Sequence, residues 1–228
     1  MAEHLNAEES KSRHVDRMGE PLGEVFDALW QEVAWLHAKW GEYDELFGTK
    51  ESRIALLNET ASLFFRIVQD TLWEDTVLHI ARLLDPPNTH NKENLSIERL
   101  MVLIDDANTK KTVSELVKAA QEAGCFSRDW RNRHIAHRDL KLAHKEGAKP
   151  LESASRKDVK DALTAIAAVL NAVTVHYMGS ETHFDMPVHG GAAQLLYVLD
   201  DGLKADKERH ERLTRGEMRK GDFDARDL

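Results

Sequence analysis

A chain of 228 residues with 42% hydrophobic and 31% charged residues has the length and composition of a soluble globular protein with one sizeable core, which excludes disorder throughout. Its single cysteine, Cys125, excludes an internal disulfide framework and a cysteine-rich zinc site and fits a reducing cytosol. A formal net charge of −9 argues against a broad positive coat for long duplex DNA, while leaving room for a local basic patch that holds RNA.

Residues 1–20 are polar, lack an apolar h-region and read as a flexible segment. Nor does any later stretch approach the length and uniform apolarity of a membrane span, so the expectation is a cytoplasmic protein without a membrane partner. From Pro21, the spacing of Val25, Leu29, Val33, Leu36 and Trp40 predicts an amphipathic helix, widened by Phe26, Trp30 and Trp35 and stopped near Gly48. A second helix is predicted over roughly 52–84. Its apolar positions cover more than one face, as in a central helix that buries Phe64, Ile67, Leu72 and Leu83 along with Trp35, and Pro86-Pro87 closes it. Residues 87–94 read as a loop, and Ser96 as an N-cap for a short helix. A helical run from about Thr112 to Arg138 carries Val113, Leu116, Val117 and Ala120, with Gly124 as an interruption. Residues 145–155 form the clearest internal linker, followed by an alanine-rich helix over 156–179. Residues 189–203 suit either a last helix or another packed segment, and from Lys204 onward the chain is nearly all charged. The organisation expected is therefore a flexible segment over 1–20, a helical domain over 21–203 and a charged tail over 204–228. With no repeats and no βαβ alternation, the fold class is all-α.

The stretch RDWRNRHIAHRDL at 128–140 concentrates four arginines and two histidines. HRDLKLAH within it resembles a protein-kinase catalytic loop, but His144 stands where the metal-holding asparagine belongs, and no glycine-rich phosphate loop precedes it. Neither an HExxH motif nor a convincing ligand set among His176, His183 and His189 points to a metal. What the stretch offers is guanidinium, which grips phosphate oxygens, beside imidazole, which moves a proton near neutral pH. Those are the ingredients of RNA cleavage by 2′-hydroxyl attack without a metal. Geometry raises a difficulty. Arg131 and His137 are six residues apart, roughly 600° and about 9 Å along an unbroken helix, so they converge only if the helix bends or a second subunit completes the site.

Arg131-Asn132, followed by Arg133-His134-Ile135-Ala136 and then His137, resembles the defining pattern of HEPN domains, an arginine with a polar neighbour and a histidine four to six residues on. ARLLDPP at 81–87, NLSIERL at 94–100 and RNRHIAHRD at 131–139 together are similar to the abortive-infection U2-like branch, over roughly residues 25–180. The resemblance implies an antiparallel helical bundle of the HEPN type with a long central helix. It also implies a homodimer whose two motifs face one cleft, an RNA substrate, no cofactor, and an antitoxin or regulatory protein as a further partner. Two readings of function follow. One is a metal-independent endoribonuclease of a toxin–antitoxin or phage-defence system; the other is a non-catalytic helical dimer that binds nucleotide, RNA or a partner protein.

On the first reading His137 is the general acid or base, Arg131 stabilises phosphoryl charge, and Asn132 orients the arginine, the histidine or a phosphate oxygen. Arg128, Arg133, His134 and Arg138 extend the phosphate-binding patch, with His134 set to meet Trp130 or Arg138. The bland alternatives are a salt bridge from Arg131 to Asp70, Glu74 or Asp75, and a helix-end His137 that ties down the following loop. Asp75 and His79 form an i,i+4 pair, either buried in support of the site or paired at the surface.

Overall fold

The computed structural model describes residues 6–144, 147–186 and 190–224, and helices account for nearly all of its regular structure. The chain divides into two compact units, Met1–Gly41 with Asp70–Pro187 and Glu42–Gln69 with Val188–Leu228.

The first unit opens with α1 (Ala7–Met18), in a segment whose polarity had suggested a loose end. Two features hold it in place. Asn6 and Glu9 form a capping box, the Asn6 side chain accepting from the Glu9 N–H and the Glu9 carboxylate from the Asn6 N–H. The buried His14 then bonds through Nδ1 to Asp27 Oδ1 at 2.8 Å. Gly19 turns the chain at φ 83°, a conformation that side chains with a Cβ resist, and Pro21 sits in the first turn of α2 (Glu20–Phe47), where its missing N–H costs nothing. In this unit Phe26, Leu29, Val33 and Leu36 are buried, but Trp35 is 63% exposed: it lies at the edge of the stripe, not within it.

α3 (Glu51–Leu83) is the longest helix, within a residue of the predicted span, with one break at Ala61, whose φ of −159° is extended. Its two parts belong to different units. In the first unit Val77, Ile80 and Leu83 are buried and Leu72 is half-buried. In the second, Phe64 and Ile67 are 59% and 56% exposed, so the broad apolar distribution does not mean burial on all faces.

Residues expected to loop after Pro87 make a two-residue hairpin, β1 (Asn88–Thr89) against β2 (Lys92–Glu93), turned by His90 and Asn91 in the left-handed region. α4 (Glu98–Leu103) begins without a side-chain cap; the Ser96 hydroxyl is buried without a hydrogen-bond partner among the described residues. α5 (Ala107–Ala123) is capped by Asp106, which accepts from Thr109 N at 2.7 Å. Gly124 does interrupt the next run, and a Cβ there would collide with Leu84, so glycine allows α6 (Cys125–Trp130) to approach the end of α3. α7 (Leu140–His144) is short. Of the 145–155 linker, residues 145–146 lie outside the described residues and 147–155 are non-helical.

α8 (Arg156–Met178) starts on a Ser155–Asp158 capping box and packs along α5, burying Val159, Leu163, Ile166, Val169, Leu170 and Val173. Contrary to the sequence expectation, α8 is long and apolar enough to qualify by composition as a membrane span, with a mean hydropathy of 1.3 over its best window. Its apolar side chains instead furnish the core of this unit.

The second unit packs Leu46, Leu57, Phe65, Ala192 and Leu196 together. Its α9 (Ala192–Thr214) resolves the open reading of 189–203 in favour of helix and continues past residue 204. The Glu42 carboxylate accepts from Ala192 N at the start of α9, a favourable place for an anion. The charged tail turns back on α9, where Arg212 pairs with Asp222 and pulls its carboxyl down to about 2.

Candidate active site

The helix that carries the arginine cluster does not stay α-helical. From Arg131 to Ile135 it widens into a π-turn, closed by Ala136 N–H donating to Arg131 O at 2.8 Å, and it ends in a bend at Ala136 and His137. The unbroken helix on which the sequence geometry foundered is therefore absent, and such π-turns recur at functional sites.

Arg131 is held from two sides. Nη1 donates to both Asp85 oxygens at 2.6 Å, and Nε donates to Asn132 Oδ1 at 3.0 Å. Asn132 Oδ1 thus accepts from the arginine side chain, and the ion-pair partner is Asp85 and not Asp70, Glu74 or Asp75. Both members of the pair are about one-fifth exposed, and Nη2 has no partner among the described residues. His137 is exposed, and it too has no hydrogen-bond or ion-pair partner among the described residues.

Asp85 is itself positioned. It follows α3 within the segment ARLLDPP, and Arg99 of NLSIERL pins the adjoining turn by donating from Nη2 to Pro87 O at 3.0 Å and from Nε to Asn94 O at 3.1 Å. Ile97 N–H donates to Leu83 O at 3.0 Å. The three segments that carried the family resemblance are therefore one hydrogen-bonded assembly, with Arg99 fixing the turn, the turn presenting Asp85, and Asp85 holding Arg131.

The remaining basic residues divide. His134 lies with Nε2 3.2 Å from Glu74 Oε1, its ring edge-on to Trp130 at 5.5 Å, and Nδ1 3.5 Å from Arg138 Nη1, so both expected neighbours are present. Arg138 and Arg128 are exposed, the latter with Nη2 3.5 Å from Leu84 O. Arg133 is fully engaged elsewhere: it pairs with Asp129, donates to the carbonyls of Lys149 and Pro150, and lies 3.6 Å from Asp139. It clamps the linker to the site rather than facing outward. Asp139, the aspartate of the kinase-like HRD, caps α7; the Leu142 N–H holds its carboxyl below the usual range.

Asp75 and His79 are bridged by Lys39, which pairs with the half-exposed Asp75 and donates to Nδ1 of the buried His79 at 3.1 Å. With Lys39 donating to Nδ1, the neutral ring carries its proton on Nε2, which lies 2.8 Å from Glu32 Oε2 without the geometry of a hydrogen bond. Burial lowers the His79 pKa, and the Lys39 charge pushes the same way. Trp73 packs between Trp40 and Trp130, with ring centres 6.2 and 6.1 Å away, and Trp130 meets His134.

Asp85 is the candidate that sequence reasoning missed, although it had a signal, its place in a segment already singled out; Glu74, expected as a partner of Arg131, lies against His134 instead. Of the three scattered histidines, His189 lies outside the described residues. Among those residues no three His, Cys, Asp or Glu side chains converge as metal ligands would.

The family model for AbiU2, a HEPN family, matches residues 19–195. The chain belongs to the AbiU2 family of HEPN domains. No curated protein and no solved structure matches it. This HEPN chain places Arg131 on a π-turn and His137 on the bend that follows it.

Proposed function

We propose that the chain is a metal-independent endoribonuclease of toxin–antitoxin or phage-defence type, acting as a cytoplasmic homodimer whose two Arg131–His137 segments face one cleft. The observation that carries this reading is the state of Arg131: Asp85 and Asn132 fix the guanidinium through Nη1 and Nε while Nη2 stays open to a phosphate oxygen. His137, exposed beyond the π-turn, is free to exchange a proton. In the reaction, the 2′-oxygen bonds to phosphorus as one imidazole takes its proton, and the P–O5′ bond breaks as an acid protonates the leaving oxygen. Two facing copies supply both proton carriers, and Arg131 stabilises the charge on the non-bridging oxygens. Arg128, Arg138 and His134 extend the contact along the RNA backbone. Membership of the HEPN superfamily, whose members are often metal-independent nucleases and dimers, supports the reading.

A second reading, a non-catalytic dimer that binds nucleotide, RNA or protein, has one observation on its side: Asp85 already neutralises Arg131. Incubation of the purified protein with a varied RNA pool in EDTA, followed by analysis of product ends, separates the two. Cleavage leaving 2′,3′-cyclic phosphates is expected; 5′-phosphate products, or cleavage that EDTA abolishes, contradict the mechanism.

A further inference from the structure

A cavity of about 320 Å³ borders the turn that holds Asp85. Leu84 and Pro86, the immediate neighbours of Asp85, line it, together with Gln121 of α5 and Cys125 and Arg128 of α6. The volume is at the lower end of small-ligand sites, about 300–1,000 Å³, and suits one flat ring system. The lining is apolar on the Leu84–Pro86 side and polar at Gln121. Because the Gln121 amide nitrogen donates to Glu98 Oε2 at 3.3 Å, and a carboxylate only accepts, the amide orientation is set and Oε1 is left as an acceptor without a partner among the described residues. Arg128 comes three residues before Arg131 on the same helical run, with Nε and Nη1 unpartnered among the described residues.

We propose that this cavity is a nucleobase subsite, which seats a base bearing an exocyclic amine from the strand whose phosphate lies at Arg131. The inference rests on the RNA-directed reading above and adds base selectivity to it. An unstacked base is held by apolar or guanidinium faces and read along its edge, here by Leu84, Pro86 and Arg128 for the faces and Gln121 Oε1 for the edge. Adenine and cytosine present an amino donor to that acceptor, whereas the corresponding group of uracil is a carbonyl that would face it unpaired.

Cys125, the only cysteine in the chain and exposed on the cavity wall, supplies the probe. The experiment measures the rate of Cys125 alkylation by iodoacetamide in full-length His137→Ala protein, which keeps RNA intact, with oligo(A), oligo(U) or 5′-AMP added and binding followed by anisotropy. Bound oligo(A) should slow alkylation about tenfold more than bound oligo(U), and Gln121→Leu should bring the two rates together. Protection by 5′-AMP alone shows that a free nucleotide suffices, and protection by oligo(A) only shows that the strand is required; either supports the subsite. Equal rates with oligo(A) and oligo(U), or no oligonucleotide binding, overturn it. Protection in a protein whose wild type leaves RNA uncut keeps the subsite and removes the nuclease, while cleavage without protection does the reverse.

Discussion

In the proposed reaction Asp85 sets how Arg131 meets a substrate, because both of its oxygens take Nη1 and Nη2 is left without a partner among the described residues. Asp85→Asn keeps the shape and removes the charge, freeing the arginine to swing. We expect the rate of RNA cleavage to fall through kcat by roughly 10- to 10²-fold, with KM unchanged or lower as the site becomes more positive. An unchanged kcat would show that Asp85 contributes no positioning. His79 makes a different residue-scale prediction. Its pKa lies below the ordinary 6.5 in the folded protein, chiefly through burial, with Lys39 and Arg82 lowering it and Glu32 and Asp75 opposing. The unfolded chain therefore takes up a proton below pH 6.5 that the folded chain resists, so the contribution of His79 is fully present above that pH and declines as pH falls below it. Thermal unfolding followed from pH 7 to pH 5 should lose stability less steeply in His79→Gln than in wild type; identical slopes would remove His79 from the account.

At the scale of elements the π-turn is the feature that carries Arg131 and precedes His137. Ala136→Pro removes the N–H that closes the turn on Arg131 O, at an exposed position where little packing is lost. Cleavage should drop by at least about tenfold while the unfolding temperature moves by only a few degrees, as for a change of about 1 kcal/mol or less; a proline variant that cleaves like wild type would show that the turn is incidental. The helices themselves were legible where apolar spacing and caps act locally: Pro21 and Gly48 bracket α2, Gly124 separates α5 from α6, and α3 lies within a residue of its expected ends. α1 was missed because its polarity outweighed the Asn6–Glu9 capping pattern, and the exposed Phe64 and Ile67 were misread because breadth of apolar residues does not say which faces find partners. The π-turn carried no pattern of its own, and the Arg131–Asp85 pair joins residues 46 positions apart, which only tertiary packing sets. The cluster itself was legible from residue type alone, since arginine beside histidine is a chemical signature before it has a shape.

For the whole molecule, a net charge of −9 means that the proposed RNA-directed chemistry would rest on one short basic stretch, which favours a flexible single strand threaded into a cleft over a duplex laid across a surface. One chain offers a single exposed His137, and the reaction needs both a base and an acid, so the account requires two copies. Light scattering at rising protein concentration should converge on the mass of a dimer, and a mass that stays monomeric would leave the site without its second proton carrier. The most direct measurement is the single-turnover rate of RNA cleavage in EDTA by wild type and by folded, dimeric His137→Ala. Loss of this imidazole is expected to slow cleavage by about 10²-fold or more where its proton transfer limits the reaction. Equal rates for the two proteins would contradict that expectation.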